Sequence, residues 1–294
     1  MRKACALLLA LQATFCLGSC HKQEKEKLVV GSKFFTEQVI LAELLAQHIE
    51  AHTGVAVERK SNLGGTLLVH KAMLSGQVDL YVEYTGTALL AVLEEPATGD
   101  ASTVYRRVRE EYARRFGLEV TEPLGFENTF AMVVRKEDAE RYHLAKISDV
   151  AALAPRWRPG VGYEFLERAD GYKGWTERYG LKFGKAPSEL DLGLIYRALA
   201  EKKVDIVAGN STDGLIEALG LVALQDDRHY FPPYDAVPIV RKEALERVPG
   251  LQACLAELRG KISAEDMRRM NFEVDGRQRD ARDVVREFRA AKGI

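Results

Sequence analysis

The chain has 294 residues, 47% of them hydrophobic and 29% charged, and a formal net charge of −1. These proportions are ordinary for a globular protein, and a near-neutral chain with no basic run gives no support to nucleic-acid binding. Beyond the N-terminal leader no stretch approaches the roughly 18 consecutive apolar residues of a membrane-spanning helix.

In chain order, Arg2 and Lys3 precede an apolar run, Ala4 to Leu17, broken only by Gln12 and Thr14. It is short for a bilayer span and reads as a signal peptide over residues 1–19. The run closes on Leu17-Gly18-Ser19-Cys20, which resembles the lipobox of bacterial lipoproteins. That resemblance implies that Cys20 is acylated and anchors the mature chain to the outside of a membrane. Residues 20–27 are polar and charged, a tether without a core of its own. Cys5 and Cys16 leave with the signal, so no internal disulfide is expected in the folded part. Cys254 lies in an apolar helical pattern and reads as a small core residue.

From Lys27 the pattern alternates strand and helix. Lys27 to Gly31 is a short apolar run ending in glycine. Glu37 to His52 carries Val39, Ile40, Leu44, Leu45 and Ile49 at helical spacing, with Thr36 placed to cap it and Gly54 to end it. Val55 to Arg59 alternates as a strand, Gly65-Thr66 opens a helix ending near Gly76, and Asp79 to Tyr84 is a third strand before a helix from Thr87 to Leu93. A second series has strands near Phe130–Val134, Gly160–Tyr163 and Val204–Ala208, with helices near Leu192–Lys202 and Thr212–Leu219. The tail returns to one strand, Ala236–Val240, and then to amphipathic helices. Such alternation predicts parallel sheets covered by helices. The fold class is therefore α/β in two lobes: 28–125 with 233–294, and 126–232 inserted between them. Two crossing strands near Glu127 and Pro232 form the hinge.

Ligands of open α/β sheets bind beyond the carboxyl ends of strands, beside helix N-termini. Those places hold Val30-Gly31-Ser32-Lys33 with Phe35, Glu37 and Gln38, then Leu63-Gly64-Gly65-Thr66. Tyr81-Val82-Glu83-Tyr84-Thr85-Gly86-Thr87 and Pro232-Pro233-Tyr234-Asp235 follow, and Asp280-Ala281-Arg282 opens the last helix. In this order over residues 28–294, they resemble the substrate-binding proteins of ABC importers for glycine betaine, carnitine, choline and proline betaine.

The resemblance implies a two-lobed, hinge-closing periplasmic-binding-protein fold of the second type. It also implies a partnership with permease and ATPase subunits in the membrane. A trimethylammonium group offers no hydrogen-bond donor, so such proteins hold it in a box of aromatic faces, about 0.5–2 kcal/mol per ring. By resemblance the cage walls are Tyr84, Phe130 and Tyr234. Lys33, Thr87 and Arg168 match donors to the ligand's carboxylate, with Gln38, Asn128 and Asn210 as further polar candidates. Thr87 favours a ligand that carries a carboxylate. Asn210 stands where relatives present an aromatic residue, which leaves one wall missing unless Phe35, Tyr163 or Phe165 fills it. A larger or more polar betaine such as carnitine or ergothioneine, or choline, is the alternative ligand; a sensory role is the alternative use.

Other chemistry finds little support. His48 and His52 have the i, i+4 spacing of a metal pair but no third ligand nearby in the sequence, so no metal site is expected. Leu63-Gly64-Gly65-Thr66 lacks the lysine of a P-loop and reads as a tight turn. No nucleophile–base signature is present, so the chain is not expected to be an enzyme or to need a cofactor.

Overall fold

The computed structural model describes residues 27–96 and 100–294. The expected signal peptide, Cys20 and the tether up to residue 26 lie outside the described residues. Among the described residues no helix is long and apolar enough to cross a membrane.

Among the described residues, ten strands form two sheets. In chain order they are β1 (Lys27–Gly31), β2 (Ala56–Lys60), β3 (Leu80–Tyr84), β4 (Leu118–Val120), β5 (Phe130–Arg135), β6 (Pro159–Val161), β7 (Ser188–Glu189), β8 (Ile206–Asn210), β9 (Leu221–Leu224) and β10 (Ala236–Arg241). The first sheet has the order β2-β1-β3-β10-β4 and the second β7-β6-β8-β5-β9.

The alternation of strands and helices predicts parallel sheets, and the structure adds antiparallel strands to them. β10 runs antiparallel to β3 and β4, and β5 runs antiparallel to β8 and β9. The remaining pairs, β1 with β2 and β3, and β6 with β7 and β8, are parallel. The path of the chain explains the exceptions. β5 is the first strand after the chain leaves the first sheet, and β10 is the first after it returns. Phe130 at the start of β5 pairs with Asn210 at the end of β8, and Ala236 at the start of β10 pairs with Tyr84 at the end of β3. A strand that arrives from the neighbouring sheet starts where the parallel strands finish, so it must run the other way. The two linking segments meet in an antiparallel bridge between Glu127 and Asp235. There the Asn128 N–H donates to Tyr234 O at 3.1 Å and the Ala236 N–H to Phe126 O at 3.0 Å.

The helix Thr36–Thr53 is the centre of the first core. Ile40, Leu41, Leu44, Leu45 and Ile49 are completely buried. They are buried between the first sheet and the helices Leu251–Ala256, Ala264–Asp275 and Ala281–Lys292. Gly54 ends the helix in the left-handed region at φ 68°, as its lack of a Cβ permits. Thr36 is not the cap. Phe35 takes that position without a side-chain bond, and Thr36 Oγ1 donates to Asp275 at 2.6 Å, because a carboxylate packed alongside is the stronger partner. Cys254 is buried in the same core, while Asp280 caps the last helix by accepting from the Arg282 N–H at 2.8 Å. The second sheet has its own core, with Met132, Val134, Trp157, Trp175 and Ile206.

Other boundaries also moved. Tyr163 opens a helix, Tyr163–Glu167, and does not end a strand. The helix expected from Thr87 is a turn, Thr85–Thr87, that runs into a π-helical turn, Ala88–Val92. The helices expected over 192–202 and 212–219 are shorter, Ile195–Ala200 and Leu215–Ala218.

Each fully buried leucine contributes about 1.5–3 kcal/mol through loss of water contact. Leu44→Ala is expected to lower the unfolding free energy by about 2–5 kcal/mol in denaturant titration. A loss under about 1 kcal/mol would mean that the helix is not packed on both sides.

Candidate ligand-binding site

A cleft opens where the strand ends of the two sheets face each other, with about 580 Å³ of empty space, part of it open to solvent. Lys33, Phe34 and Phe35 reach it from the end of β1, and Tyr84 and Thr87 from the end of β3. Asn128 and Phe130 line it from the start of β5, Asn210 from the end of β8 and Tyr234 from the returning segment. Tyr163, Glu164, Phe165 and Arg168, after β6, complete the far side. The structure thus brings eight of the nine ligand-binding candidates to one cleft. Gln38 is the exception: it is buried behind Tyr84, and its Nε2 donates to the Tyr84 hydroxyl at 3.1 Å.

The aromatic residues form two groups in the one cleft. The Phe130 ring meets Tyr234 edge-on at 6.1 Å and Phe165 at 4.7 Å. The Tyr84 ring stacks on Phe35 at 6.4 Å with an interplanar angle of 21°. All three substitutes named for the missing wall, Phe35, Tyr163 and Phe165, line the cleft. Tyr163 is largely exposed at its mouth, whereas Phe165 is buried against Phe130.

Both cations arrive already paired, which sequence reasoning missed. Lys33, 2% exposed, places Nζ 2.5 Å from Glu83 Oε1 and 5.2 Å from the Tyr84 ring centroid. Arg168 donates through Nε and Nη2 to Asp170, at 2.8 and 2.5 Å, and through Nη1 to Thr87 Oγ1 at 3.0 Å. Its guanidinium also lies 5.2 Å over the Phe130 ring. Burial by itself would lower the Arg168 pKa, but the Asp170 carboxylate more than offsets that and raises it. Asp170 also accepts a hydrogen bond from the Tyr234 hydroxyl, so one carboxylate orients the Tyr234 ring and the Arg168 guanidinium together.

A second buried acid lies behind the cleft. Glu37 accepts from Tyr84 Oη at 2.6 Å, Asn128 Nδ2 at 2.8 Å, Thr212 Oγ1 at 2.5 Å and Asn271 Nδ2 at 3.0 Å. Burial pushes its carboxyl above the ordinary range, and the four hydrogen bonds pull against that. Asn128 Oδ1 has no hydrogen-bond partner among the described residues. Across the cleft, Glu164 Oε1 accepts from the Thr66 N–H at 2.7 Å, which ties the helix after β6 to the start of the helix Thr66–Leu74. A Cβ at position 65 would come against that carboxylate and displace it from the Thr66 N–H.

Beside Asn210, Asp213 is half-buried and accepts from the Tyr196 hydroxyl; loss of water around it pushes its carboxyl up to about 7. A carboxyl raised in the folded state stabilises at low pH, and that contribution is lost as pH rises from about 3.8 to about 7. Asp213→Asn is therefore expected to gain stability relative to the native chain as pH rises through that window, read from urea midpoints. A constant gap between the two proteins would contradict it.

The family model for the substrate-binding domain of ABC-type glycine betaine transport systems matches residues 26–291. The carnitine transport binding protein OpuCC of Listeria monocytogenes is 36% identical over 288 residues, covering 96% of this chain and 93% of that protein. The ergothioneine transport permease/ergothioneine binding protein EgtU of Helicobacter pylori is 32% identical over 98% of this chain, which spans 52% of that longer protein. A crystal structure of a glycine betaine/carnitine/choline ABC transporter component superposes with a TM-score of 0.76 at 33% identity, covering 90% of this chain and 98% of that one. Two mixed sheets around a cleft, strand ends lined by aromatic and paired charged residues, and these matches lead to one conclusion. The chain belongs to the family of substrate-binding proteins of betaine- and carnitine-type ABC transporters, which are not enzymes.

Proposed function

We propose that the protein captures a zwitterionic quaternary amine in the cleft and delivers it, closed, to a membrane permease. The observation that carries this reading is the group of aromatic residues, Tyr84, Phe130, Phe165 and Tyr234, beside the Arg168–Thr87 pair in one cleft. Tyr84, Phe130 and Tyr234 are the walls that hold the trimethylammonium group, and Phe165 takes the place of the wall absent at Asn210. Arg168 is the carboxylate donor. Of its five N–H groups, three are engaged by Asp170 and Thr87, so two remain for a ligand. Lys33 acts chiefly on Glu83 and on the face of Tyr84. Gln38 supports the Tyr84 hydroxyl from behind, and Asn128 offers its unpartnered Oδ1 to a polar ligand atom.

The two lobes are residues 28–125 with 233–294, and residues 126–232. The membership of β1–β4 and β10 in one sheet and β5–β9 in the other supports this division. The antiparallel bridge at Glu127 and Asp235 is the hinge. Cys20 is the lipid anchor that keeps the protein extracytoplasmic and near its permease and ATPase partners.

A longer or more polar betaine is the second reading. Asn210 presents an amide on one side of the cleft, and the ergothioneine-binding relative aligns over nearly the whole chain.

Calorimetric titration with glycine betaine, carnitine, ergothioneine and choline is expected to show binding of at least one carboxylate-bearing amine and weaker binding of choline. Tyr234→Ala should weaken the best ligand by about tenfold or more, as loss of a dry aromatic contact implies. Unchanged affinity would remove Tyr234 from the site, and preference for choline would overturn the carboxylate reading. Cys20→Ala is expected to move the protein from the membrane fraction to the soluble fraction; unchanged fractionation would refute the anchor.

A further inference from the structure

The helix Thr36–Thr53 runs away from the cleft, and His48 lies about 18 Å along its axis from Thr36. The sequence leaves His48 and His52 without a third partner, but the fold supplies one. The helix Leu251–Ala256 packs on this face and brings Cys254 to the pair, with Glu257 next in the chain. Ligating atoms of His48, His52 and Cys254 all lie within 4.8 Å of one another. Glu257 Oε2 stands 3.2 Å from His52 Nε2 and 3.6 Å from His48 Nε2.

We propose that His48, His52, Cys254 and Glu257 form a binding site for a borderline-soft divalent cation of the zinc class. Two imidazoles, a thiolate and a carboxylate make up a donor set that zinc takes tetrahedrally, with neighbouring donors about 3.3–3.8 Å apart. The present spacing, up to 4.8 Å among His48, His52 and Cys254, needs a contraction of about 1 Å; two of the four side chains, His52 at 34% and Glu257 at 53%, are exposed. These two also provide a route in from solvent.

Two details point to a ligand and not to packing alone. His48 is completely buried; its Nε2 is hydrogen-bonded to the Cys254 carbonyl oxygen at 2.9 Å, but its Nδ1 has no hydrogen-bond partner among the described residues, an unusual cost in a folded core. His52 Nδ1 is held by the His48 carbonyl oxygen at 2.8 Å, which fixes the ring and leaves Nε2 aimed at Glu257. The opposing terms are identifiable. Burial pushes the Cys254 thiol up to about 11, so binding expels a proton. Arg289 contributes a nearby positive charge, which the thiolate and Glu257 would offset. A bound ion would clamp the helix Thr36–Thr53 to the C-terminal helices without touching the cleft.

The purified mature protein should be titrated with Zn²⁺ and, as a spectroscopic probe, Co²⁺. One equivalent should bind, with a thiolate-to-cobalt charge-transfer band and a higher melting temperature. His52→Ala and Glu257→Gln, both at exposed positions, should each weaken zinc binding by about tenfold or more, and Cys254→Ser should abolish the band. The binding of quaternary amines should be unchanged in the exposed-position variants, which separates this site from the cleft. Absence of binding, absence of the thiolate band, or zinc affinity that survives His52→Ala would overturn the proposal.

Discussion

The carboxyl of Glu37 is the constraint on which the arrangement of the cleft depends. An ionisable group buried this deeply costs several kcal/mol unless its oxygens are satisfied. Its four donors come from four separate places: Tyr84 at the end of β3, Asn128 in the outgoing link, Thr212 after β8, and Asn271 on the helix Ala264–Asp275. No two of those segments are adjacent in sequence. All must be in position at once, so the ends of both sheets are registered against a single side chain. The hydroxyl of Tyr84 is one of the four donors, so the orientation of that ring in the cleft depends on the same network.

Magnitudes indicate how such a cleft tells ligands apart. Two or three rings at about 0.5–2 kcal/mol each fall short of the roughly 8 kcal/mol of micromolar binding. Charged donors must contribute, at about 1.5–3 kcal/mol for each good bond. Because Glu83 neutralises Lys33 and Asp170 neutralises Arg168, the cleft presents hydrogen-bond donors without a large excess of positive charge. An anion would therefore gain little there, and a molecule that carries both charges suits it better. The shared grip of Asp170 on Arg168 and on Tyr234 also fixes the spacing between that guanidinium and that ring.

The sequence showed which segments would line the cleft, because the strand ends and returning links of α/β sheets border the crevice between them. Tyr84, Phe130, Arg168 and Tyr234 were legible for that reason and because their motifs resemble those of relatives. Their partners were not. Glu83, Asp170 and Glu37 read as ordinary strand or helix residues, since the partners of such carboxylates are decided by tertiary contacts between residues 47 or more apart, or by a local turn as at Asp170. β4, β7 and β9 span only two to four residues and were too short for any period to register. The reversal of β5 and β10 was invisible because strand direction is a property of the chain's path, not of its composition. His48 read as one of a polar pair, but the helices of the C-terminal segment bury it.

The place of β10 also bears on the order in which the molecule can be assembled. It lies between β3 and β4, so the middle of the first sheet is filled by residues 236–241, long after both of its neighbours have been made. The second sheet takes all of its strands from residues 130–224 and can close on its own. A chain that emerges N-terminus first therefore leaves β3 and β4 separated by a strand-wide gap until nearly its whole length is available. The half synthesised first is thus the half completed last, and the chain stays open through most of its emergence.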